Sequence, residues 1–181
     1  MYNIAYVTPE QAETAPVSVR TIYGAFQGKE IPEPLQLLSA SPVLMTNRFE
    51  NIQYYMSHET LSFPLLAAIR YTVARSCSYD CCTDFNDGLL KRCGMQPDDI
   101  ETLYAYAKGD RTETTDSGLE DREQKMVRFV VNAVQQPKPA TAEQLAELRA
   151  EGWSDKDIFD ALSHGAGMVA TSLIDTTFRI R

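Results

Sequence analysis

Histidine is scarce in this chain: His58 and His164 are the only two in 181 residues. Any chemistry that borrows an imidazole must take it from one of them, and a histidine-rich zinc site has too few ligands. Basic residues are also the minority, 17 against 25 acidic for a formal charge of −8, and they form no run. Because non-specific nucleic-acid binding rests on basic patches, nucleic acid is excluded as the main partner. No stretch reaches the roughly eighteen uninterrupted apolar residues of a spanning helix, so no membrane partner is expected. The opening MYNIAYVTPEQAE has neither a basic n-region nor an apolar h-region, which makes a cytoplasmic, soluble protein the expectation. Cysteine is limited to four residues, and three of them, Cys77, Cys81 and Cys82, crowd into six positions. Crowding of that kind suggests local chemistry more than a disulfide framework.

What remains is ordinary globular material, 44% hydrophobic and 23% charged, enough for one domain over 1–181 with an irregular N-terminal extension at about 1–30. Helical signals dominate and strand alternation is scarce. Ser18 to Phe26 reads as a short helix, and Pro32 to Ser39 as a second. Ser41 and Pro42 supply an N-cap and a first-turn proline for a helix running to Met56. Ser62 caps the next, in which Leu66, Ile69 and Val73 recur at helical spacing.

A helix over Asp80 to Cys93 is closed by Gly94, and Pro97 with Asp98 and Asp99 opens another. GDRTETTDSG, Gly109 to Gly118, is the clearest loop. Beyond it Met126, Phe129, Val130, Ala133 and Val134 trace an apolar stripe. Thr141 with Gln144 forms a capping box, Gly152 ends that helix, and Ser154 caps a last one carrying Ile158, Leu162, Val169 and Leu173. The sum is an all-α protein of eight or nine helices.

The cysteine segment reads RSCSYDCCTDFNDGLLKRCG. A helix starting near Ser78 or Tyr79 places Cys81 and Cys82 in its first turn, where unpaired N–H groups and the helix dipole stabilise a thiolate. Cys77 could swing towards either thiol, whereas adjacent Cys81 and Cys82 would strain the intervening peptide. Asp80, Asp84 and Asp87 oppose thiolate formation, Arg70 and Arg75 could compensate, and no histidine lies nearby to act as base. A redox-active pair, inert buried thiols and metal ligation all stay open. Zinc is disfavoured, since its structural sites use separated cysteine pairs or added histidines, and these residues call for no cofactor or metal.

The segment resembles the core of the alkylhydroperoxidase D and carboxymuconolactone decarboxylase superfamily. That core has a glutamate, a helix ending in small residues, then C-x-x-C-x-x-x-H, and a glycine eight residues after the histidine. Anchored on Gly94, Asn86 stands at the histidine, Cys82 at the second cysteine, Tyr79 at the first and Ala67 at the glutamate. Leu35 to Met45 and the stretch from Asp121 through LRAEGWSDKDIFDAL are similar as well, so the likeness runs from about residue 30 to the end.

The resemblance implies the alkylhydroperoxidase D-like helical bundle, a homo-oligomer and a thiol-dependent, peroxidase-related antioxidant oxidoreductase. Its partners would be a small-molecule peroxide or a thiol/disulfide reductant. In the family the second cysteine attacks the peroxide, the first resolves it, and glutamate and histidine relay the proton. Carried over, Cys82 is the nucleophile and Cys77 or Cys81 the resolving thiol. Asn86 can hold a water or substrate oxygen but cannot relay a proton as histidine does. A non-catalytic binding or scaffold protein on the same fold is the alternative, and lactone decarboxylation, using Arg70, Arg75, Lys91 or Arg92, a third.

Outside the cluster, Gly165 and Gly167 in SHGAGMVATS suggest close helix packing. His58 reads as a surface residue, and either histidine would be the natural base if it faced the cysteines. Tyr54, Tyr55, Tyr71 and Phe63 suit core or subunit contacts, Trp153 the contact after a glycine C-cap, and Cys93 a small buried hydrophobe.

Overall fold

The computed structural model describes residues 1–114 and 116–180, so Thr115 of the Gly109 to Gly118 loop lies outside the described residues. Nine α-helices are present among those residues: α1 Val17–Gly24, α2 Glu33–Leu37, α3 Pro42–Met56, α4 Phe63–Ser76, α5 Asp80–Arg92, α6 Pro97–Lys108, α7 Asp121–Gln135, α8 Ala142–Ala150 and α9 Asp155–Phe178. The one β-type pairing described is a single bridge between Tyr2 and Arg179. No helix among the described residues is long and apolar enough to cross a membrane.

The chain divides into two compact units, Met1–His58 with Leu173–Arg181, and Glu59–Ser172. In the first, Val19, Ile22 and Tyr23 of α1 join Ile31, Leu35 and Met45 in a buried cluster. The helix anticipated at 18–26 therefore supplies core residues inside the stretch expected to be largely irregular. Tyr23 donates its hydroxyl to the Val7 carbonyl at 2.5 Å, and the Val7 amide donates to Ser39 Oγ at 2.7 Å, which fastens the opening segment onto the helices.

The second unit is built around α4, buried on nearly every side from Leu65 to Ala74 and packed chiefly on α5 and α7. Its residues explain the position: after Ser62 Oγ caps the Leu65 amide at 3.2 Å, the sequence FPLLAAIRYTVARS offers a single charge before its last turn. A helix apolar all round is one that sits in a core. Ser62 also donates to Glu123 Oε1 at 2.6 Å, while Glu123 Oε2 accepts the Glu120 amide at 3.1 Å, so one buried carboxylate joins the starts of α4 and α7.

The stops read at Gly94 and Gly152 hold, whereas Ser41 stands at the start of α3 without a side-chain cap bond. Gly94, Gly109 and Gly152 all adopt positive φ after helices α5, α6 and α8. Following Gly152, the Trp153 amide donates back to the Leu148 carbonyl at 3.2 Å, and both side chains are buried. Ser154 and Asp157 exchange hydrogen bonds, amide to carboxylate at 2.9 Å and amide to hydroxyl at 3.1 Å, to start α9.

Two expectations are corrected. Cys93 is exposed, because the turn after α5 buries Met95 in its place. Leu173 is 57% exposed, and the buried line of α9 instead follows Ile158, Ala161, Gly165, Met168 and Ser172.

Candidate active site

Helix α4 ends in a left-handed turn that presents α5. The Ser78 amide donates to the Arg75 carbonyl at 3.1 Å and the Tyr79 amide to the Ala74 carbonyl at 2.9 Å, with Ser78 at φ +59°. These are the two bonds of a Schellman closure, whose left-handed position is ordinarily a glycine's. Cys77 is the last residue before the turn and Tyr79 the first after it. Tyr79 then becomes the N-cap of α5, which puts Cys81 and Cys82 at its second and third helical positions. The expected first-turn placement of both thiols is what the structure has.

No disulfide joins the four cysteines, which differ sharply in exposure: Cys81 and Cys93 are exposed, Cys77 is half-buried and Cys82 is buried. Burial pushes the Cys77 thiol up from its ordinary range. Cys82 Sγ meets the hydroxyl of Ser172, which donates to it at 3.3 Å. One turn along α5, Asn86 is fully buried; its Nδ2 donates to the Cys82 carbonyl at 2.6 Å and lies 4.0 Å from Met168 Sδ. A carbonyl oxygen can only accept, so the amide nitrogen must be the atom turned towards it. Asn86 Oδ1 is consequently left buried without a hydrogen-bond partner. Unpaired buried acceptors are rare and mark a place where a donor from water or a ligand belongs.

The site is therefore made by α5 and α9 running antiparallel, Cys82 opposite Ser172 and Asn86 opposite Met168. Ser172 and Met168 went unnoticed in the sequence. Their available signal was the spacing of four between Met168 and Ser172, which recurs at His164 and gives the three one side of a helix.

His164 stands eight residues before Ser172, about 12 Å away along the helix axis, so it does not stand beside the Cys82 sulfur. His58, at the end of α3 in the other unit, stacks on Tyr55 and meets Tyr54 edge-on. Ala67, which the resemblance set against a glutamate, is buried and brings no carboxylate.

The charges flanking the cluster are largely engaged or solvated. Arg75 forms a bidentate pair with Glu101 at 2.6 and 2.8 Å, accompanied by Tyr71 and by the Tyr104 ring. Asp87 pairs with Lys91 at 2.6 Å, and Asp80 and Asp84 face solvent. Of the cations suggested for holding a lactone's carboxylates, Arg70, Arg75, Lys91 and Arg92, Arg75 and Lys91 are thus paired with carboxylates of this chain. Among the described residues no three His, Cys, Asp or Glu side chains gather as a metal-holding group.

The architecture is all-helical and alkylhydroperoxidase D-like. In comparison with solved structures, the chain is similar over its whole length to a crystal structure described as the alkylhydroperoxidase AhpD core of an uncharacterized peroxidase-related protein from Ralstonia eutropha. The match has 15% identity, a TM-score of 0.73 and spans 93% of that chain. No protein-family model and no curated protein matches the sequence.

Proposed function

We propose that the protein is a thiol-dependent oxidoreductase in which Cys82 is oxidised by a small hydroperoxide. The carrying observation is the Cys82 sulfur itself, buried in the first turn of α5, receiving a serine hydroxyl and flanked by an unpaired buried acceptor on Asn86. The helix terminus and the hydroxyl both favour negative charge on sulfur. Burial of Cys82 supports a small oxidant over the disulfide of a protein partner, whose sulfur could not approach it.

In the first step the Cys82 thiolate attacks the terminal peroxide oxygen. An S–O bond forms, the O–O bond breaks, and the leaving alkoxide or hydroxide takes up a proton to depart as alcohol or water. Sulfur is oxidised by two electrons to a sulfenate, which becomes sulfenic acid by regaining the proton the thiol gave up, and the peroxide is reduced by two. A second thiol, Cys77 or Cys81, then attacks the sulfenic sulfur, forming a disulfide and releasing water. A dithiol reductant closes the cycle by exchange. Cys77 is favoured over Cys81, because a disulfide between neighbouring residues strains the peptide. Assembly into a homo-oligomer belongs to the same proposal and is supported by apolar side chains left on the surface, among them Val43, Leu44 and Phe159. Gel filtration at two concentrations tests it against a monomer of 20.3 kDa.

The redox reading is tested by counting free thiols under denaturing conditions after mild peroxide, then again after reductant. The wild type should lose two thiols and regain them, and Cys82→Ser should lose none. If peroxide consumes no thiol pair, or if Cys82→Ser behaves as wild type, the protein is instead a non-catalytic bearer of the fold.

A further inference from the structure

Hydroxyls in the middle of a helix ordinarily turn back to the carbonyl four residues earlier. Two on α9 do so: Thr171 donates to the Gly167 carbonyl at 2.8 Å and Thr177 to the Leu173 carbonyl at 2.7 Å. Ser172, beside the first of these and only 1% exposed, donates to Cys82 Sγ instead. A neutral thiol is a weak acceptor, whereas a thiolate is a charged one and makes a far stronger bond. The hydroxyl is thus spent on a partner that rewards it fully only when the sulfur is anionic. Close by, Asn86 Oδ1 is a second buried group with nothing to bind, and it lacks a donor.

Together these supply what the site otherwise misses, since Ala67 and Asn86 remove the family's carboxylate and imidazole. We propose that Ser172 is the hydroxyl partner of the Cys82 nucleophile, holding the sulfur as an anion and passing the peroxide's own proton to the leaving oxygen. This rests on the reading of Cys82 as peroxide-reactive.

The step balances without an external acid. The peroxide O–H donates to Asn86 Oδ1, and the thiolate attacks the peroxide oxygen that carries that proton. As the O–O bond breaks, the leaving alkoxide takes the Ser172 proton. Ser172 recovers a proton from the hydroxyl now on sulfur, leaving a sulfenate and an alcohol. Thiolate plus hydroperoxide becomes sulfenate plus alcohol, with Ser172 unchanged.

Two rates on Cys82 test this, both read by mass spectrometry: alkylation by iodoacetamide across pH, and sulfenic-acid formation with hydrogen peroxide, trapped by dimedone. Ser172→Ala should slow the peroxide reaction roughly a hundred- to ten-thousandfold and move the alkylation profile to higher pH. Ser172→Thr and Ser172→Val are equal in shape and differ in the hydroxyl; Thr should remain near wild type and Val should follow Ala. An Ala variant with native circular dichroism and wild-type rates in both assays overturns the proposal, as do equal rates for Thr and Val. If the wild type forms no sulfenic acid, the peroxide reading and the proton transfer fall together. An alkylation profile that still moves in Ser172→Ala would then show that the hydroxyl acts on the sulfur alone.

Discussion

A thiol's reactivity depends on how readily it becomes a thiolate and on whether a reagent can reach it, and the four cysteines separate on both counts. Cys81 and Cys93 are exposed, while Cys77 is half-buried with its thiol pushed up by burial alone. A raised thiol stays protonated further into alkali, so iodoacetamide at about pH 8 should modify Cys81 and Cys93 well before Cys77. The Cys77 rate should keep rising with pH beyond 9.0, the ordinary thiol value. A Cys77 rate equal to that of the exposed pair at about pH 8 and flat above pH 9.0 would show that burial does not govern Cys77. The same property bears on its proposed resolving role: closure of a disulfide by Cys77 should accelerate with pH, because its thiolate is the attacking species. At neutral pH the Cys82 sulfenic acid should persist long enough to be trapped.

At the scale of the element, helix packing sets the geometry of the site, and Gly165 is where that packing is tightest. A Cβ built there would come within 2.4 Å of Val130 Cγ1 and within 3.4 and 3.5 Å of Ile69 and Val73. Valine has no flexible end to swing aside, so Gly165→Ala must move α9 away from α4 and α7. The expected cost is about 1–3 kcal/mol, a fall in melting temperature of roughly 3–10 °C. Gly88 on α5 makes the contrast, for a Cβ there meets nothing within 4 Å. Gly88→Ala should raise stability by up to about 1 kcal/mol through helix propensity alone. If thermal denaturation showed the two substitutions to be equivalent, close approach at Gly165 would not be the reason for its glycine. Gly165 also shows where the sequence was readable. Caps and stops such as Ser62, Gly94 and Ser154 are local and could be placed from neighbouring residues. Glycine inside a helix pointed to packing without naming the partner. The buried line of α9 was misread through Leu162, Val169 and Leu173, since a search for large apolar residues passes over Ala161, Gly165 and Ser172. For the same reason Cys82 and Asn86 were proposed from a local resemblance anchored on Gly94, whereas the contact of Cys82 with Ser172, ninety residues away in the chain, required the fold.

For the molecule as a whole, buried tyrosines in both units carry an alkaline pH dependence. Tyr23 in the first and Tyr71 in the second are held above the ordinary phenol range chiefly by burial. Tyr2 is raised most strongly, by burial first and then by its hydrogen bond to Asp175 at 2.5 Å and that carboxylate's charge. Arg179 completes the arrangement, pairing with Asp175 at 3.0 Å and with Glu33 at 2.7 Å. The sign of the linkage follows from the direction of the shift. Below the ordinary phenol value of 10.0 both folded and unfolded Tyr2 are protonated, and the stabilisation is present in full. Above it the unfolded chain releases a proton that the folded one keeps, so stability falls as pH rises. Each tyrosine of this kind contributes a loss of up to about 1.4 kcal/mol per pH unit in that range. Tyr2→Phe removes one such contribution, and it should be less stable than wild type at neutral pH yet lose stability more slowly above about pH 10. Urea unfolding followed by circular dichroism at several alkaline pH values measures both slopes. Parallel slopes would mean that Tyr2 ionises alike in the folded and unfolded chain, and that the alkaline limit is set by Tyr23 and Tyr71 alone.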